Sequence, residues 1–566
     1  MSSPAGPAPV GIASAGAIAV SSAATLFSVA LIGELIGRGV RDIVLCPGAR
    51  SQALALAAAA WEYDGRVRLR VRIDERVAGF LALGIAVETG LPVAIITTSG
   101  TAVANLHPAV LEAHHSGVPL LLLTADRPAE LRGIGSNQTT DQLGIFGSSV
   151  RWVRDVPPPV DASGAELLAR EAFAAATGTP GPVQLNLAFR EPLSGTVEGL
   201  PALPVYDMRA NSADPPRQIE HAPHTVVIAG HDAGPDAEAF ARSLGVPLLA
   251  EVSSGSHYGP NLVVAYRRLL DDPAFGGLIE RAVVFGHPTL SRQIPAMLSR
   301  SNVVVHIVRG VTAHAYNPGH RAATIDESVV HDGVPDGSPD ARAWLGSWVY
   351  ASRGMLALDM TPAPNTPERA GDFAREQLAV FREPVTRRVL VEAVWRVTWP
   401  HDRLVLGASR LIREADTYVP GKRIRVHANR GLAGIDGTIA TATGIALSSQ
   451  DAEGGGSSGI TRVLVGDLTA LHDVGALLFG GGEVRPRIQV IVGNDGGGTI
   501  FDGLDVAATA PAGFFDRVQY TPQSVDLRAL AAAYGWEYRV ARNRGELDEA
   551  LAASETPTLV EVALPR

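Results

Sequence analysis

The sequence predicts an α/β protein of three doubly wound domains, each a parallel sheet covered by helices on both faces. Short aliphatic and β-branched runs, such as Val93–Thr97, alternate with longer segments that carry apolar residues at helical spacing. Many of the short runs end in glycine or proline, as strand-to-helix loops do in such folds. The 566 residues suffice for three domains of ordinary size.

Changes in composition predict the domain boundaries. The first 33 residues contain no charged side chain, and we expect residues 1–22 to form a flexible tail. The tail lacks the basic start of a secretory signal, and its glycines, prolines and serines interrupt any membrane span, so we expect a cytoplasmic protein without an integral membrane segment. The predicted domains are 23–197, 223–360 and 386–566, joined by linkers at 198–222 and 361–385.

Charge and cysteine content exclude several classes of function. The net charge of −10 argues against a general binder of nucleic acid or anionic membranes. The one cysteine, Cys46, rules out an internal disulfide framework and a cysteine-based metal site.

Each domain is predicted to repeat the alternation of strand and helix. The first begins with a helix at 23–38, and a second helix opens at Glu75. The third begins with a helix near 386–396, and its glycine-rich stretch at 451–459 is expected to be a mobile loop. The predicted strands are 43–45, 69–73, 93–97, 120–124 and 183–187 in the first domain; 226–228, 247–249, 283–285 and 303–307 in the second; and 404–406, 424–426, 463–465, 488–492 and 559–562 in the third.

Oxygen-bearing side chains follow two of the third domain's predicted strands. Gly466-Asp467 ends one apolar run, and Asn494 follows the next, 27 residues on. Ligands bind at the carboxyl ends of strands in open α/β sheets, and Mg²⁺ prefers a few oxygen ligands together with phosphate. Either segment alone could also be an ordinary turn after a strand.

Glu75 stands where a strand gives way to a helix. The helix that follows it is too apolar to face solvent, so a carboxylate there needs a partner. Two interpretations are open: Glu75 caps the helix, or it serves as a proton partner in catalysis.

Four arginines occur in loops rich in Gly, Pro or Ser after predicted strands: Arg50, Arg127, Arg413 and Arg430. Each could form a surface ion pair, since most charged side chains stay at the surface. Together at the sheet mouths, they suggest a pocket for a polyanionic organic substrate, because Arg holds carboxylates bidentately.

The Gly-Asp segment followed by an Asn-containing turn resembles the diphosphate and metal motif of thiamine-diphosphate enzymes. The resemblance implies pyrimidine, central and diphosphate domains, with thiamine diphosphate and Mg²⁺ or Mn²⁺ as cofactors. It implies that Asp467, the Asn494 side chain and the Gly496 carbonyl hold the metal, and that Glu75 activates the aminopyrimidine ring. Two positions depart from the usual motif: Leu468 replaces a glycine and Asp495 replaces an asparagine. The full implied cofactor set is Glu75, Thr98, Ser99, Gly100, Gly407, Ala408, Ser409, Gly434, Ile435, Gly466, Asp467, Leu468, Thr469, Asn494, Gly496 and Gly497.

Further segments resemble, in order, the thiamine-diphosphate synthases of menaquinone biosynthesis. They include Cys-Pro-Gly-Ala-Arg-Ser at 46–51, Asn-Arg-Gly-Leu-Ala-Gly-Ile-Asp-Gly at 429–437 and Gly-Asp-Leu-Thr-Ala-Leu-His-Asp at 466–473. The resemblance covers about residues 23–566. It implies decarboxylation of 2-oxoglutarate, followed by 1,4-addition of the succinyl carbanion to isochorismate.

The same resemblance implies the substrate contacts. Ser409, Arg413 and Arg430 would hold the donor, and Ile435 would support the bent cofactor. Isochorismate would contact Arg50, Ser51, Arg127, Gln138 and Arg292, with Asn137, Ile500 and Phe501 lining the pocket. The family usually has serine where Ala49 stands and a Lys-Arg pair where this chain has Arg292-Gln293.

Related enzymes place the glutamate and the metal site on different chains, which implies a homodimer or homotetramer. Two other functions are open at this stage. The chain could be an acetolactate-synthase-like enzyme or 2-oxoacid decarboxylase, although the arginines favour a dicarboxylic donor. It could also be a non-catalytic nucleotide-binding scaffold, although the intact Glu75, Asp467 and Asn494 argue against that.

Overall fold

The structure, a computed structural model, describes residues 22–197, 199–204, 206, 215–310, 312, 314–331, 333, 335–357, 379–451 and 459–566. Nearly all of the expected tail, parts of the first linker, most of the second, and residues 452–458 of the expected mobile loop lie outside these residues. No helix in the described ranges is long and apolar enough to cross a membrane.

The first domain contains a six-stranded sheet in the order β2-β1-β3-β4-β6-β5, with every neighbouring pair parallel. The sequence missed only the edge strand β5, which is largely exposed, and it extended β2 two residues too far. The strands are β1 Asp42–Leu45, β2 Arg68–Val71, β3 Val93–Thr97, β4 Leu120–Asp126, β5 Trp152–Val156 and β6 Val183–Ala188. The helices are α1 Ala23–Gly37, α2 Gln52–Tyr63, α3 Glu75–Thr89, α4 Thr101–Asn105, α5 His107–Ser116 and α6 Ala165–Gly178.

The central domain contains a five-stranded parallel sheet in the order β12-β11-β10-β8-β9. A two-stranded parallel ribbon, β7 Arg217–Gln218 with β13 Val329–Val330, lies beside it. The sequence missed the edge strand β12, because its side chains are only half-buried. The strands are β8 Thr225–Ala229, β9 Leu248–Ala250, β10 Arg281–Phe285, β11 Val304–Val308 and β12 Ala322–Asp326, with helices α7 Asp236–Leu244, α8 Tyr266–Asp271, α9 Gln293–Leu298 and α10 Pro339–Ala357.

The third domain again has six parallel strands, ordered β15-β14-β16-β17-β19-β18. Three parallel sheets of six, five and six strands thus confirm the predicted fold class. The strands are β14 Arg403–Leu406, β15 Arg425–His427, β16 Thr461–Gly466, β17 Ile488–Asn494, β18 Glu537–Ala541 and β19 Thr558–Ala563. The helices are α11 Arg387–Val397, α12 Arg410–Tyr418, α13 Thr438–Ser449, α14 Asp467–His472, α15 Asp505–Thr509, α16 Ala512–Phe515, α17 Leu527–Tyr534 and α18 Arg544–Ala550.

The first and third domains share one hydrophobic core, centred on the crossing of α3 and α13. Two glycines allow the helix backbones to touch. A β-carbon on Gly84 would lie 1.9 Å from the Thr441 carbonyl oxygen, and one on Gly444 would lie 2.2 Å from the Leu81 carbonyl oxygen. Only glycine fits at such an approach, so the crossing fixes how the two sheets are placed relative to each other.

Candidate functional site

The third sheet brings four loops to one edge. The strands β15, β14, β16 and β17 are neighbours and parallel, so the loops that follow them leave the sheet on the same side. Arg430 lies in the loop after β15, and Ser409 directly precedes α12, whose first turn contains Arg413. Asp467 is the first residue of α14, and Asn494 is the last residue of β17. Carboxyl ends of adjacent parallel strands are where ligands bind in open α/β folds.

Asp467 combines a buried side chain with one carboxylate oxygen that has no hydrogen-bond partner. Its side chain is buried, and Oδ1 accepts a hydrogen bond from the Leu468 amide at 2.7 Å. Oδ2 is buried and has no hydrogen-bond partner. Burial, together with the nearby charge of Asp495, raises the pKa of Asp467 to about 6. A cation at Oδ2 would supply the missing partner and favour the ionised form.

Asn494 and Gly496 present two further oxygens beside Asp467. The Asn494 amide nitrogen donates to Glu561 Oε1 at 2.7 Å, which turns Oδ1 toward the Gly496 amide at 3.2 Å. Gly496 has φ +76°, a left-handed conformation that favours glycine. Its carbonyl accepts from the Gln523 amide at 3.0 Å, which leaves a second lone pair available. These oxygen donors fit a hard cation such as Mg²⁺.

Asp495 adds a charge that its neighbours neutralise. It departs from the usual asparagine, and Arg387 of α11 donates to Asp495 Oδ2 from Nε at 3.1 Å and from Nη2 at 2.7 Å. The Thr499 hydroxyl donates to the same oxygen at 2.6 Å. Both partners of the ion pair are about nine-tenths buried. The Asp495 carboxylate is therefore already bonded to Arg387 and Thr499.

Capping of α3 is performed by Asp74, which leaves Glu75 free for another role. Asp74 Oδ1 accepts from the Arg76 and Val77 amides at 2.9 and 3.3 Å, the pattern of an N-cap. Glu75 is half-buried, and its carboxylate accepts one long hydrogen bond from Asn105 Nδ2 at 3.4 Å. Among the described residues, no hydrogen bond or ion pair joins Glu75 to Asp467 or Asn494.

The first domain gathers Arg127, Ser99 and Gln138 into one cluster after β3 and β4. Arg127 is buried, and its Nη1 donates at 2.6 Å both to Ser99 Oγ and to the Gln138 carbonyl. Burial, together with the nearby Arg50, lowers the pKa of Arg127. Arg50 itself donates to the Phe189 carbonyl at 3.1 Å. Two of the predicted acceptor-site arginines therefore lie near each other.

The third domain brings Arg413 and Arg430 together. Arg413 Nη1 donates to the Ser409 carbonyl at 2.8 Å. Burial lowers the pKa of Arg430, and Arg413 lowers it further against the opposing effect of Glu251. Arg430 is 2% exposed, yet its Nη1 has no hydrogen-bond partner.

The other expected residues are placed as follows. Arg292 is exposed at the start of α9, and among the described residues no hydrogen bond joins it to the arginines of the first domain. Ser51 is buried, and its hydroxyl donates to the Gly48 carbonyl at 3.2 Å. Loops or strand ends hold most of the rest: Thr98, Gly100 and Asn137 in the first domain, and Gly407, Ala408, Gly434, Ile435, Gly466 and Gly497 in the third. Leu468 and Thr469 lie in α14, and Ile500 and Phe501 lie in a short 3-10 helix, Thr499–Gly503.

Sequence reasoning missed three buried acids beside the arginines: Glu112, Glu251 and Asp416. Burial raises the pKa of Glu112, whereas burial and the nearby Asp416 raise the pKa of Glu251 to about 8. Asp416 accepts hydrogen bonds from Tyr266 Oη at 2.7 Å and Arg267 Nη2 at 2.5 Å. No local motif marks them, because their partners lie far away in the sequence, in another domain for Glu112 and Asp416 and 38 and 39 residues on for Glu251.

No group of three or more His, Cys, Asp or Glu side chains in the described parts of the chain could hold a metal ion. A metal ion bound by oxygen atoms at Asp467 would therefore need the side-chain oxygen of Asn494 and a backbone carbonyl as further ligands. This arrangement suits a cation that also takes oxygens from a bound phosphate group.

Comparison with known proteins gives matches over nearly the whole chain. The family described as "Thiamine pyrophosphate enzyme, N-terminal TPP binding domain" matches residues 27–145. A 2-succinyl-5-enolpyruvyl-6-hydroxy-3-cyclohexene-1-carboxylate synthase of Leifsonia xyli subsp. xyli is 58% identical over 96% of this chain and 97% of its own length. The proteins of the same name from Clavibacter michiganensis subsp. michiganensis and Rhodococcus jostii are 56% and 39% identical, over 95% and 94% of this chain and 96% and 94% of their own lengths.

Proposed function

The chain belongs to the 2-succinyl-5-enolpyruvyl-6-hydroxy-3-cyclohexene-1-carboxylate synthase family of thiamine-diphosphate enzymes, and we propose that it catalyses this family's reaction in menaquinone biosynthesis. The donor is 2-oxoglutarate, which loses carbon dioxide, and the acceptor is isochorismate. The observation that carries the proposal is the edge of the third sheet, where adjacent strands present Arg430, Arg413, Asp467 and Asn494.

Thiamine diphosphate and Mg²⁺, or Mn²⁺, are the proposed cofactors. Asp467, the Asn494 side chain and the Gly496 carbonyl hold the metal, and the unpartnered Asp467 Oδ2 is the strongest support for this site. When bound, thiamine diphosphate supplies the carbanion chemistry that decarboxylation and addition require. The protein contributes binding, orientation and the movement of protons.

Glu75 is proposed to hold and exchange a proton with the aminopyrimidine ring. Its release from capping by Asp74 supports this role, as does its position at the start of α3, a helix buried in the core shared by the first and third domains. A carboxylate on a rigid helix is well suited to a proton transfer that depends on geometry.

The two arginine pairs are proposed to bind the two substrates. Arg413 and Arg430, with Ser409, take the distal carboxylate of 2-oxoglutarate, because Arg430 Nη1 is buried and still lacks a partner. Arg50 and Arg127 bind the carboxylates of isochorismate, with Ser51, Gln138 and Arg292 as further contacts and Asn137, Ile500 and Phe501 as lining. Arg292 would have to approach the first domain from its exposed position on α9.

We propose that the working enzyme is a homodimer or homotetramer with its active sites between chains. The resemblance to enzymes that place the glutamate and the metal site on different chains supports this arrangement. Mixing two inactive variants, Glu75→Ala and Asp467→Ala, in equal amounts tests it. After subunit exchange about half of the dimers contain one chain of each kind, and one of the two sites in such a dimer has both residues intact. The mixture should therefore regain about one quarter of wild-type activity. No recovery, despite exchange shown by labelled subunits, would place both residues in one chain. The cytoplasmic location remains a prediction from the sequence.

The decisive experiment supplies 2-oxoglutarate, isochorismate, thiamine diphosphate and Mg²⁺ and identifies the product by mass. The expected product retains the isochorismate carbons and gains four carbons from 2-oxoglutarate after loss of carbon dioxide. A preference for pyruvate as donor would instead support an acetolactate-synthase-like reaction. Omission of isochorismate is the matched control, since it separates decarboxylation from addition.

A further inference from the structure

We propose that two buried carboxylates outside the third domain, Glu112 of the first domain and Glu251 of the central domain, are positioning residues for Arg430. The inference rests on the proposed function, in which Arg430 binds the donor's carboxylate. It assigns a role in the reaction to the central domain, which carries few of the sequence motifs.

Glu251 acts on Arg430 through Thr289. Glu251 lies directly after β9 with no exposed surface, and its Oε1 accepts from the amides of Thr289 and Leu290 at 2.7 and 2.6 Å. Thr289 in turn accepts from Arg430, through Oγ1 from Nε at 2.9 Å and through its carbonyl from Nη2 at 3.0 Å. Two nitrogens of the guanidinium are therefore fixed by a segment that Glu251 holds in place.

Glu112 fixes the backbone that follows Arg430. Glu112 lies on α5 and is 5% exposed. Its Oε1 accepts from the Gly431 amide at 2.7 Å and its Oε2 from the Leu432 amide at 2.8 Å, while the Ser116 hydroxyl donates to Oε1 at 3.1 Å. Both oxygens of this carboxylate are used, and they hold the two residues next to the arginine.

These contacts hold the Arg430 guanidinium in place but leave one of its nitrogens without a hydrogen-bond partner. Arg430 Nη1 is buried without a partner, although Nε and Nη2 are both bonded. A buried cationic donor without an acceptor is costly, so the site is complete only when an anion approaches Nη1. Arg413 lies close enough to lower the pKa of Arg430, so a carboxylate placed between the two would be attracted by both. Glu251, Glu112 and Asp416 are the nearby acids, and Asp416 is bonded to Tyr266 and Arg267.

The hydrogen bonds call for a different test substitution at each acid. At Glu251 only Oε1 accepts, so Glu251→Ala removes the acceptor of the Thr289 and Leu290 amides, whereas glutamine would keep it. Glu112→Gln replaces one of two accepting oxygens with a donor that faces a backbone N–H. One loop amide then loses its acceptor, which makes the replacement at Glu112 costly.

Steady-state kinetics on the holoenzyme test the positioning role. Glu112→Gln should lower kcat/KM for 2-oxoglutarate about tenfold or more, since tenfold corresponds to the loss of one ordinary hydrogen bond. The kcat/KM for isochorismate should change little, and Glu251→Ala should also lower the kcat/KM for 2-oxoglutarate about tenfold or more. In an Arg430→Met background, Glu112→Gln should have no further effect, because it acts through Arg430.

Thr289→Val is the second test and serves equally if Glu112→Gln fails to fold. It removes only the hydroxyl that accepts from Arg430 Nε. Thr289→Val should lower kcat/KM for 2-oxoglutarate, whereas Thr289→Ser, which keeps the hydroxyl, should retain the wild-type kcat/KM. Equal losses for both substrates, or losses that add to those of Arg430→Met, would overturn the proposal and leave the two acids with a structural role only.

Hydrogen exchange of the segment 428–434 separates this inference from the proposed function. The Gly431 and Leu432 amides should be protected in wild type and exchange faster in Glu112→Gln, whatever substrate the enzyme uses. Unchanged protection refutes the contact itself. A wild type that is folded and protected but does not turn over 2-oxoglutarate refutes the proposed function, and the role for Arg430 with it.

Discussion

Replacement of Glu88 by glutamine should weaken the junction between the first and third domains in a pH-dependent way. Glu88 lies near the end of α3 and is buried against Arg403 of β14, whose Nε and Nη2 donate to Oε1 at 2.8 and 2.6 Å. Arg425 Nη1 donates to the same oxygen at 3.2 Å, and His427 Nε2 lies 3.3 Å from Oε2. One carboxylate thus contacts two neighbouring strands of the third sheet.

The magnitude follows from the pKa of Glu88. Burial alone would raise this pKa, but hydrogen bonds and charge from His427 and Arg403 outweigh burial and lower it from 4.5 to about 2. A difference of about 2.5 pH units corresponds to about 3 kcal/mol of stability. Because the folded pKa is lowered, this contribution is present above pH 4.5 and is lost as the pH falls from about 4.5 toward 2.

Urea unfolding of wild type and Glu88→Gln, followed by circular dichroism between pH 7 and pH 3.5, measures the effect. The difference in the free energy of unfolding should be about 3 kcal/mol at pH 7 and should narrow below about pH 4.5. Glu171→Gln is the matched control, since its ion pair with Arg154 is about half exposed on both sides. That control should change stability by no more than about 1 kcal/mol.

Two results would refute this reasoning. A gap that keeps its full size at pH 3.5 would mean that the lost stability does not come from the charge of Glu88. Equal stability of Glu88→Gln and wild type at pH 7 would mean that desolvation of the carboxylate cancels its ion pairs.

Three further predictions concern the proposed site. Asp467→Ala should abolish Mg²⁺-dependent retention of thiamine diphosphate in equilibrium dialysis. In wild type the pKa of Asp467 is raised to about 6. The affinity for Mg²⁺ should therefore fall about tenfold for each pH unit below that value, because the proton competes with the metal. Glu75→Gln should lower turnover by about 10²–10⁴, the usual contribution of a positioned proton partner, while the melting temperature stays near that of wild type. Arg413→Ala should lower kcat/KM for 2-oxoglutarate by roughly 30-fold to several thousandfold, while any turnover of pyruvate changes little, because only the dicarboxylic donor needs the cation.

Each of these has a result that contradicts it. Normal cofactor retention by Asp467→Ala would remove that residue from the metal site. Near wild-type turnover in Glu75→Gln would assign activation elsewhere. An unchanged ratio of efficiencies for the two 2-oxoacids in Arg413→Ala would leave Arg430 as the donor-binding residue. Asp548→Asn is a suitable control for all three, since Asp548 pairs with Arg396 at an exposed surface.

Buried strands could be predicted from the sequence, whereas the exposed edge strands β5 and β18 could not. The run Val93–Thr97 is buried throughout, and its predicted bounds agree with the observed ones. In contrast, Trp152–Val156 and Glu537–Ala541 lie at sheet edges with charged and half-exposed side chains, so they lack the apolar run that marks a buried strand. Their pairing depends on a neighbour elsewhere in the chain.

The residues of the candidate site also fall into those that could be predicted and those that could not. Asp467 and Asn494 stand at the ends of strands that the sequence predicts, so their proximity could be expected from topology. Glu112 could not be identified, because the amides it accepts from lie 319 and 320 residues further along the chain. A lone glutamate in a helix has no local feature that distinguishes a buried loop anchor from a solvated side chain.

The crossing of α3 and α13 has a consequence for biosynthesis. The two helices are about 350 residues apart in sequence, with the entire central domain between them. On the ribosome, α3 emerges long before α13 exists, so the apolar face built around Gly84 must wait uncovered until the C-terminal third is translated. At about 5–20 residues per second that wait lasts roughly 20–70 s, ample time for aggregation. The nascent first domain therefore exposes this apolar face throughout that time, and the central domain can fold before the domains on either side of it complete their common core.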